Sequence, residues 1–350
     1  MIRSGIFTIV LLMTLEVFSQ STKFSFSQEF IEVKTSEDIQ EIKVYKGSFT
    51  SHEQLANKEA IILGDLFKDE SSLSFTPVLP FQLNTTYTAI VNDSFFEFLI
   101  PLKTDYKKLN VAAIYPNTSK LPSNFLKWYV AFSKPVNPAN IYNHITLINN
   151  KTKEKVDRAL LPLENALLSN DGKLLTLWIE PGRQKRDLGP NKHLGEVLNE
   201  GVSYTLLIDE KLKDTDGVAM GKTFEHSFHV IGSDRVQPSI KKWKFVLPKS
   251  NTNQPLVIQL NDNLDFGSLH NSLQIVNING QVILGSFNIK TNESTIAFTP
   301  NTSWKKGDYI LKCDKIIEDV SGNNLERLFD RDITKKKTKP ILERKFSISK

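Results

Sequence analysis

Cysteine is almost absent from the sequence, which has one, Cys313, in 350 residues. A single thiol cannot form an intramolecular disulfide, and it cannot supply the ligands of a cysteine-rich zinc site or an iron–sulfur cluster. Histidine is also scarce, with six residues and no His-Glu-x-x-His pair. The sequence therefore predicts no metal site and no cofactor.

Strong charge of one sign and long apolar runs are missing as well. Lysine and arginine number 44 against 39 aspartates and glutamates, a net charge of +5. This excess is too small and too dispersed for the basic stripe of a nucleic-acid-binding protein, so we expect no nucleic-acid partner. Beyond the N-terminus no stretch approaches 18 apolar residues, which predicts no membrane span in the mature chain.

The N-terminus has the pattern of an export signal. Arg3 precedes an apolar run, residues 5–15, that is shorter than the ~20 residues of a membrane-spanning helix. Val17 and Ser19 then stand at the −3 and −1 positions of a cleavage site before Gln20. We expect a signal peptide, residues 1–19, and an exported protein that is periplasmic or extracellular. An exported chain without disulfides favours a bacterial origin.

One pattern occurs three times along the chain and predicts pairs of β-strands. A strand of alternating apolar and polar residues ends in Thr-Pro or Glu-Pro, and in two of the copies an aromatic residue follows. A second strand then begins around a tyrosine. The alternation places one face of each strand on a core, and the proline ends the first strand because it cannot donate to a β-ladder. The tyrosine at a strand corner is typical of immunoglobulin-like sandwiches. The three tyrosines, which we expect to be buried, are Tyr87, Tyr204 and Tyr309.

Each copy also ends in a similar alternating strand, at residues 95–99, 224–230 and 342–348. Helical periodicity is weak throughout, so the sequence predicts an all-β protein. We expect a signal peptide (1–19) and three tandem Ig-like β-sandwich domains, at residues 20–106, 107–233 and 234–350. The middle domain carries a charged insertion between its paired strands.

Several segments resemble the bacterial Ig-like domain family named after S-layer proteins (SbsA Ig-like). Residues 121–135, with the letters LPSN and WYVAFSKP, resemble its first strand, and residues 214–217 and 319–323 are similar to the turn before its last strand. The resemblance covers residues 110–350 and, in the first domain, only residues 73–91. It implies a spacer or structural module of a surface protein, and it implies no catalytic residue.

The best candidate binding site is the basic loop in the middle domain, formed by Arg183, Lys185 and Arg186 after Pro181. Guanidinium groups bind carboxylates and phosphates through paired hydrogen bonds, so this loop predicts binding of an envelope glycan or another anionic ligand. The alternative is a solvated loop, or an arginine that pairs with local acids such as Asp187 to fix the turn. We expect the Arg183 loop to lie at the surface.

Other chemistry finds little support in the sequence. Residues 214–217 begin like a calcium loop, but a later ligand position holds Val218 and the required glycine is replaced by Ala219, so a tight turn is the better interpretation. We predict no catalytic residue and no enzyme, with an uncharacterised hydrolase as the remaining alternative. The predicted function is a non-catalytic structural or interaction module of the bacterial envelope or surface, whose partner is an envelope component or another protein. The alternative function is a binding protein or enzyme accessory module for an anionic ligand.

Overall fold

The computed structural model describes residues 13–16, 22–35, 39–55, 61–69, 72–185, 189–269, 272–290, 293–330 and 340–349. The chain divides into two compact units. Unit 1 consists of Met1–Leu109 and Lys213–Met220, and unit 2 consists of Asn110–Leu212 and Gly221–Lys350. Each unit is built from sheets that are mostly antiparallel, with few helical residues.

Unit 1 contains two sheets, which form the N-terminal sandwich. Its elements are β1 (Met13–Glu16), β2 (Lys23–Phe26), β3 (Ile31–Lys34), β4 (Ile42–Lys46), α1 (His52–Leu55), β5 (Gly64–Asp69), β6 (Ser72–Pro77), β7 (Thr86–Val91) and β8 (Ser94–Leu99). One sheet has the order β1-β2-β3-β6-β5 and the other β4-β7-β8. Alternating apolar residues of both sheets meet in one core, where Phe24, Phe81 and Phe98 are buried.

The segment Lys213–Met220 completes unit 1 through polar contacts. The hydroxyl of Tyr106 lies 2.6 Å from a carboxylate oxygen of Asp214 and 2.7 Å from one of Asp216. Asp216 also accepts hydrogen bonds from the side chain of Gln28 and, at its carbonyl oxygen, from the amide of Leu83. The segment contains the tight turn predicted at residues 214–217, with Gly217 at a φ of 82°.

The first pair of sheets in unit 2 forms the middle sandwich. Its elements are β9 (Val111–Tyr115), β10 (Lys120–Pro122), β11 (Lys127–Phe132), a 3-10 helix (Ile141–His144), β12 (Ile145–Asn149), β13 (Leu174–Trp178), α2 (Pro181–Gln184), α3 (Gly189–Leu194), β14 (Ser203–Ile208) and β15 (Phe224–Ile231). The sheet orders are β13-β11-β9 and β10-β15-β14-β12. Trp128 of the first sheet packs on Phe228 of the second, with ring centres 5.5 Å apart.

The second pair of sheets in unit 2 forms the C-terminal sandwich. Its elements are a 3-10 helix (Ile240–Lys242), β16 (Lys244–Val246), β17 (Leu256–Gln259), α4 (Phe266–Leu269), β18 (Leu273–Asn277), β19 (Gly285–Lys290), β20 (Thr295–Pro300), β21 (Gly307–Cys313) and β22 (Glu343–Ile348). The sheet orders are β16-β17-β20-β19 and β18-β21-β22. Trp243, Trp304 and Phe298 are buried in the core between them.

The strand orders identify the architecture as Ig-like. An immunoglobulin constant-type sandwich pairs its strands as A-B-E-D and C-F-G. The N-terminal sandwich has this arrangement from β2 to β8, and the C-terminal sandwich has it from β16 to β22. In the middle sandwich β10 runs parallel to the last strand, β15. The predicted all-β, Ig-like fold class is confirmed.

The repeated tyrosines occupy equivalent buried positions. Tyr87, Tyr204 and Tyr309 each lie on the sixth strand of an A-to-G sandwich, and each hydroxyl accepts a hydrogen bond from a backbone amide four or five residues earlier, at Gln82, Asn199 and Lys305. The prediction of buried corner tyrosines is confirmed. The preceding strands, β6, β13 and β20, are likewise equivalent, since each lies in the opposite sheet from its tyrosine strand.

The predicted domain boundaries 20–106, 107–233 and 234–350 stay a prediction, because the middle and C-terminal sandwiches form one compact unit and Lys213–Met220 belongs to unit 1. Most of the predicted signal peptide lies outside the described residues. Within it, β1 pairs with β2. None of the helices among the described residues is long and apolar enough to cross a membrane.

Candidate functional site

The basic loop predicted as a binding site begins directly after β13. Pro181 occupies the first turn of α2, and a carboxylate oxygen of Glu180 caps that helix by accepting a hydrogen bond from the amide of Gly182. Proline is favoured there because a backbone N–H in the first turn of a helix has no partner within the helix, so its absence costs no hydrogen bond. The short helix directs Arg183 inward, where the residue is 6% exposed.

The guanidinium of Arg183 organises the loop around it. It donates hydrogen bonds of 2.7 to 3.1 Å to four backbone carbonyl oxygens, those of Asp157, Leu194, Gly195 and Glu196. Burial lowers the pKa of Arg183, although Asp157 and Glu180 partly oppose that effect. These four bonds engage each of its nitrogens. The side chain therefore connects Leu194, Gly195 and Glu196 of the insertion to Asp157, which precedes β13 in the sandwich.

The expectation that Arg183 lies on the surface is therefore wrong. The carbonyl oxygens that hold it belong to residues distant in the sequence, which a local pattern does not reveal. Lys185 is half-buried, with its ammonium 4.6 Å from the ring centre of Phe329. Arg186 lies outside the described residues. Anion binding by this loop stays a prediction, and it would depend on Lys185 and Arg186.

A second cluster of charged groups lies where the middle and C-terminal sandwiches of unit 2 meet, a region we call the junction. Lys127, at the start of β11, is buried with its ammonium 2.5 Å from Glu318 and 3.5 Å from Asp265. The same ammonium lies 4.5 Å from the ring centre of Trp178. A cation of the middle sandwich is thus neutralised by two acids of the C-terminal sandwich.

Aromatic packing and helix capping hold Asp265 in place. The hydroxyl of Tyr129 donates to its carboxylate at 3.0 Å, and the amide of Ser268, in α4, donates to the same oxygen at 2.7 Å. The next residue, Phe266, stacks on Tyr115 with ring centres 4.0 Å apart. Tyr115 and Tyr129 belong to the middle sandwich, so α4 is fixed against it by both polar and apolar contacts.

A group of three carboxylates, which we call the carboxylate trio, lies at the same junction. Asp234 is in the connection between the sandwiches, Asp262 follows β17 and Asp319 follows β21. One carboxylate oxygen from each of them lies within 4.8 Å of the other two. Oxygens at this spacing have the chemistry of a hard-cation site or of a site that holds a shared proton. The turn at Asp319 is fixed by the amides of Ser321 and Asn323 and by Gly322, whose φ is 78°.

The trio is bound directly to the middle sandwich through Asn124. Its side chain accepts a hydrogen bond from the amide of Asp234 and donates one to the carbonyl oxygen of the same residue. The hydroxyl of Ser321 donates to Asn124 as well. Nearby, the amide of Leu126 donates to the carbonyl oxygen of Val320. The residues that carry the charges of the trio are therefore also among those that form, or lie next to, the contacts across the junction.

Burial raises the pKa of several acids in this region. For Asp319 burial raises the pKa to about 8, and Asp234 adds to the effect. For Asp262 burial, again with Asp234, raises the pKa to about 6. Burial also raises the pKa of Glu318, against the opposing influence of Lys127. In each case low polarity penalises the charged form more than neighbouring donors stabilise it.

Sequence reasoning missed the junction, although one signal was present. The sequence predicts a turn at residues 319–323, and the structure has one there. The sequence of that turn gives no indication that Asp234 and Asp262 lie beside it. Lys127 lies within the segment that resembles the first strand of the bacterial family, where a charged residue beside buried neighbours indicates a buried ion pair. These residues converge only through the packing of two sandwiches.

Comparison with known proteins gives low-identity likenesses only. No family model matches the chain, and no curated protein matches it. Solved structures similar to it include alpha-2-macroglobulin from Escherichia coli, spanning domains MG0-NIE-MG1 (14% identity, TM-score 0.23, 59% of this chain and 66% of that chain). Another is the N-terminal part of the bacterial S-layer protein SbsC (18% identity, TM-score 0.24, 59% of this chain and 41% of that chain). A third is the I9-I11 tandem of titin (13% identity, TM-score 0.20, 88% of this chain and 97% of that chain). The chain thus spans less than two thirds of the first two.

Proposed function

We propose that the protein is a non-catalytic structural module of the bacterial envelope or cell surface, in which the middle and C-terminal sandwiches act as one stiff pair. The observation that carries this proposal is the buried ion pair of Lys127 with Glu318 and Asp265 across the junction. A flexible linker between independent domains is normally exposed and polar, with few contacts crossing it. Here the junction has a buried charge pair, stacked rings and backbone hydrogen bonds.

The use of the charged side chains supports a structural role over a catalytic one. Lys127 and Arg183, both buried, have their donors directed at groups of the same chain. A catalytic or ligand-binding cation would instead have donors directed at a cleft. Lys127 and Arg183 thus stabilise a junction and a loop, respectively.

Anionic-ligand binding by the basic loop is the alternative function. The burial of Arg183 removes one of the two guanidinium groups from that hypothesis, which leaves Lys185 and Arg186. Titration of the full chain with an anionic envelope polysaccharide separates the two functions. Under the structural proposal Lys185→Ala binds no differently from Lys192→Ala, an exposed control in α3. A selective loss of binding in Lys185→Ala would favour the alternative.

The structural proposal is tested by calorimetry of the full chain. Removing one partner of a buried ion pair costs about 3 to 5 kcal/mol, because the remaining charges stay buried without compensation. We expect the middle and C-terminal sandwiches to unfold in one transition in the wild-type protein and in two transitions in Lys127→Met. Lys120→Met, at an exposed lysine of β10, is the matched control and should behave as wild type.

A wild-type profile with separate transitions for these two sandwiches would contradict the stiff pair. The location is tested separately, by protease treatment and fractionation of intact bacteria that produce the tagged chain. Recovery of the protein in the cytoplasm would contradict an envelope role, whatever the stability of the junction.

A further inference from the structure

We propose that the carboxylate trio is a proton-operated lock, which holds the middle and C-terminal sandwiches together while the trio retains a proton and loosens the junction when all three groups ionise. The inference rests on the proposed structural function, since it describes how the stiff pair is regulated.

The geometry is the first argument. Three separate segments each supply one carboxyl group, and one oxygen of each group lies within 4.8 Å of the other two. Like charges at this distance repel strongly where water is scarce, so such groups hold a proton between them rather than ionise together. Asp319 is 1% exposed, which limits the solvent available to screen it.

The charges that surround the trio do not neutralise it. Lys242, in the 3-10 helix before β16, acts on Asp262 and lowers its pKa, but less than burial and Asp234 raise it. Lys127 is engaged by Glu318 and Asp265. Other charged groups in the described part of this region also act elsewhere. Arg235 pairs with Asp330, Arg327 lowers the pKa of Glu318, and Asp265 raises the pKa of Glu293.

The trio is connected to the contacts that it would control. The backbone of Asp234 is bound on both sides by Asn124 of the middle sandwich, and Asn323 links Asp234 to Asp319 by donating to both. Repulsion that separates Asp234 from Asp319 therefore acts on the hydrogen bonds that cross the junction.

The direction of the pH effect follows from proton linkage. The folded protein holds protons on Asp319 and Asp262 up to about pH 8 and about pH 6, whereas an ordinary aspartate loses its proton near 3.8. The folded state thus binds more protons between these limits, and stability falls as the pH rises through them. The lock is closed in mildly acidic surroundings and open in alkaline ones.

The experiment measures the distance between the two sandwiches in the full chain by pulsed electron spin resonance. Spin labels are placed at Glu225→Cys on β15 and Lys345→Cys on β22, both exposed positions. The chain without these changes is the labelling blank, because its one cysteine, Cys313, is buried. We expect a narrow distance distribution at pH 5 and a broader one at pH 8.5.

The variants assign the effect to the trio. Asp262→Asn and Asp234→Asn each remove one charge and retain an oxygen for the backbone amide that each carboxylate now accepts from. We expect the distance distribution of both variants to stay narrow at pH 8.5. Asp308→Asn, at an exposed position at the other end of β21, is the control, and its distance distribution should broaden at pH 8.5 as that of the wild type does.

The outcomes separate this inference from the proposed function. A narrow distribution at both pH values would overturn the lock and leave the stiff pair intact. A broad distribution at both would contradict the stiff pair itself. Broadening that Asp262→Asn and Asp234→Asn fail to remove would assign the effect to other acids and overturn the lock. So would broadening at pH 8.5 that 5 mM CaCl₂ abolishes and EDTA restores, since the trio would then be a cation site.

Discussion

The hydroxyl of Tyr309 donates a hydrogen bond of 2.8 Å to the carbonyl oxygen of Lys305 and accepts one of 3.2 Å from the amide of the same residue. The ring packs at the same time against Trp304 and Phe346 in the core of the C-terminal sandwich. One side chain therefore fixes a strand corner and fills the space between two sheets.

Tyr309→Ala should destabilise the C-terminal sandwich by about 3 to 5 kcal/mol, the usual cost of removing a large buried ring. Tyr309→Phe keeps the ring and loses the hydrogen bonds, so its cost should be about 1 kcal/mol. Urea unfolding followed by tryptophan fluorescence measures both. Equal losses in the two variants would show that the corner hydrogen bonds, and not the ring, hold the strand.

Arg183→Ala should destabilise unit 2, in contrast to the sequence-based expectation of a surface loop. The substitution leaves four carbonyl oxygens without their donor, and a hydrogen bond to a charged group contributes about 1.5 to 3 kcal/mol. Asp157, Leu194 and Gly195 are exposed, so water replaces part of what their carbonyl oxygens lose. We expect a total loss of about 3 kcal/mol, measured by thermal unfolding. Lys185→Ala, two residues away, is the control and should change stability by less than about 1 kcal/mol.

Glu293→Gln should reduce the pH dependence of stability. Burial raises the pKa of Glu293 to about 7, above its ordinary value of 4.5. Its contribution to stability is therefore complete below about pH 4.5 and is lost as the pH rises through about 7. The variant should be about 1 to 3 kcal/mol more stable than wild type at pH 8, and the difference should shrink at pH 5. Glu225→Gln, at an exposed strand position, should show no such trend.

Export should remove the first residues of the chain. The charged start, the short apolar run and Ser19 predict a mature N-terminus at or near Gln20. Mass spectrometry of the protein recovered from an exporting bacterium measures this directly. Recovery of exported protein that still begins with Met1 would contradict the signal peptide.

Periodicity and repetition predicted the fold well, but not the sites. The tyrosine corners could be found because a strand that ends in proline and a later strand around a tyrosine recur in each copy, even though an insertion separates the two strands of the middle copy. A packing position has to recur wherever the same sandwich is built. Arg183 could not be placed, because its carbonyl partners at Asp157 and Leu194 lie in two different connections, one before β13 and one after it. Asp234 and Asp319 meet only once two sandwiches are docked, and docking leaves no periodic signal in a sequence.

The composition of unit 1 bears on the order in which the protein can fold. Its body ends at Leu109, but it also includes Lys213–Met220, whose Asp216 is bound by Gln28 and Leu83. Ribosomes and secretion channels deliver a chain from its N-terminus, so the body of unit 1 emerges well before unit 1 can be completed. It waits until residue 220 has arrived, and a protein cut after residue 109 should expose the surface that this later segment covers.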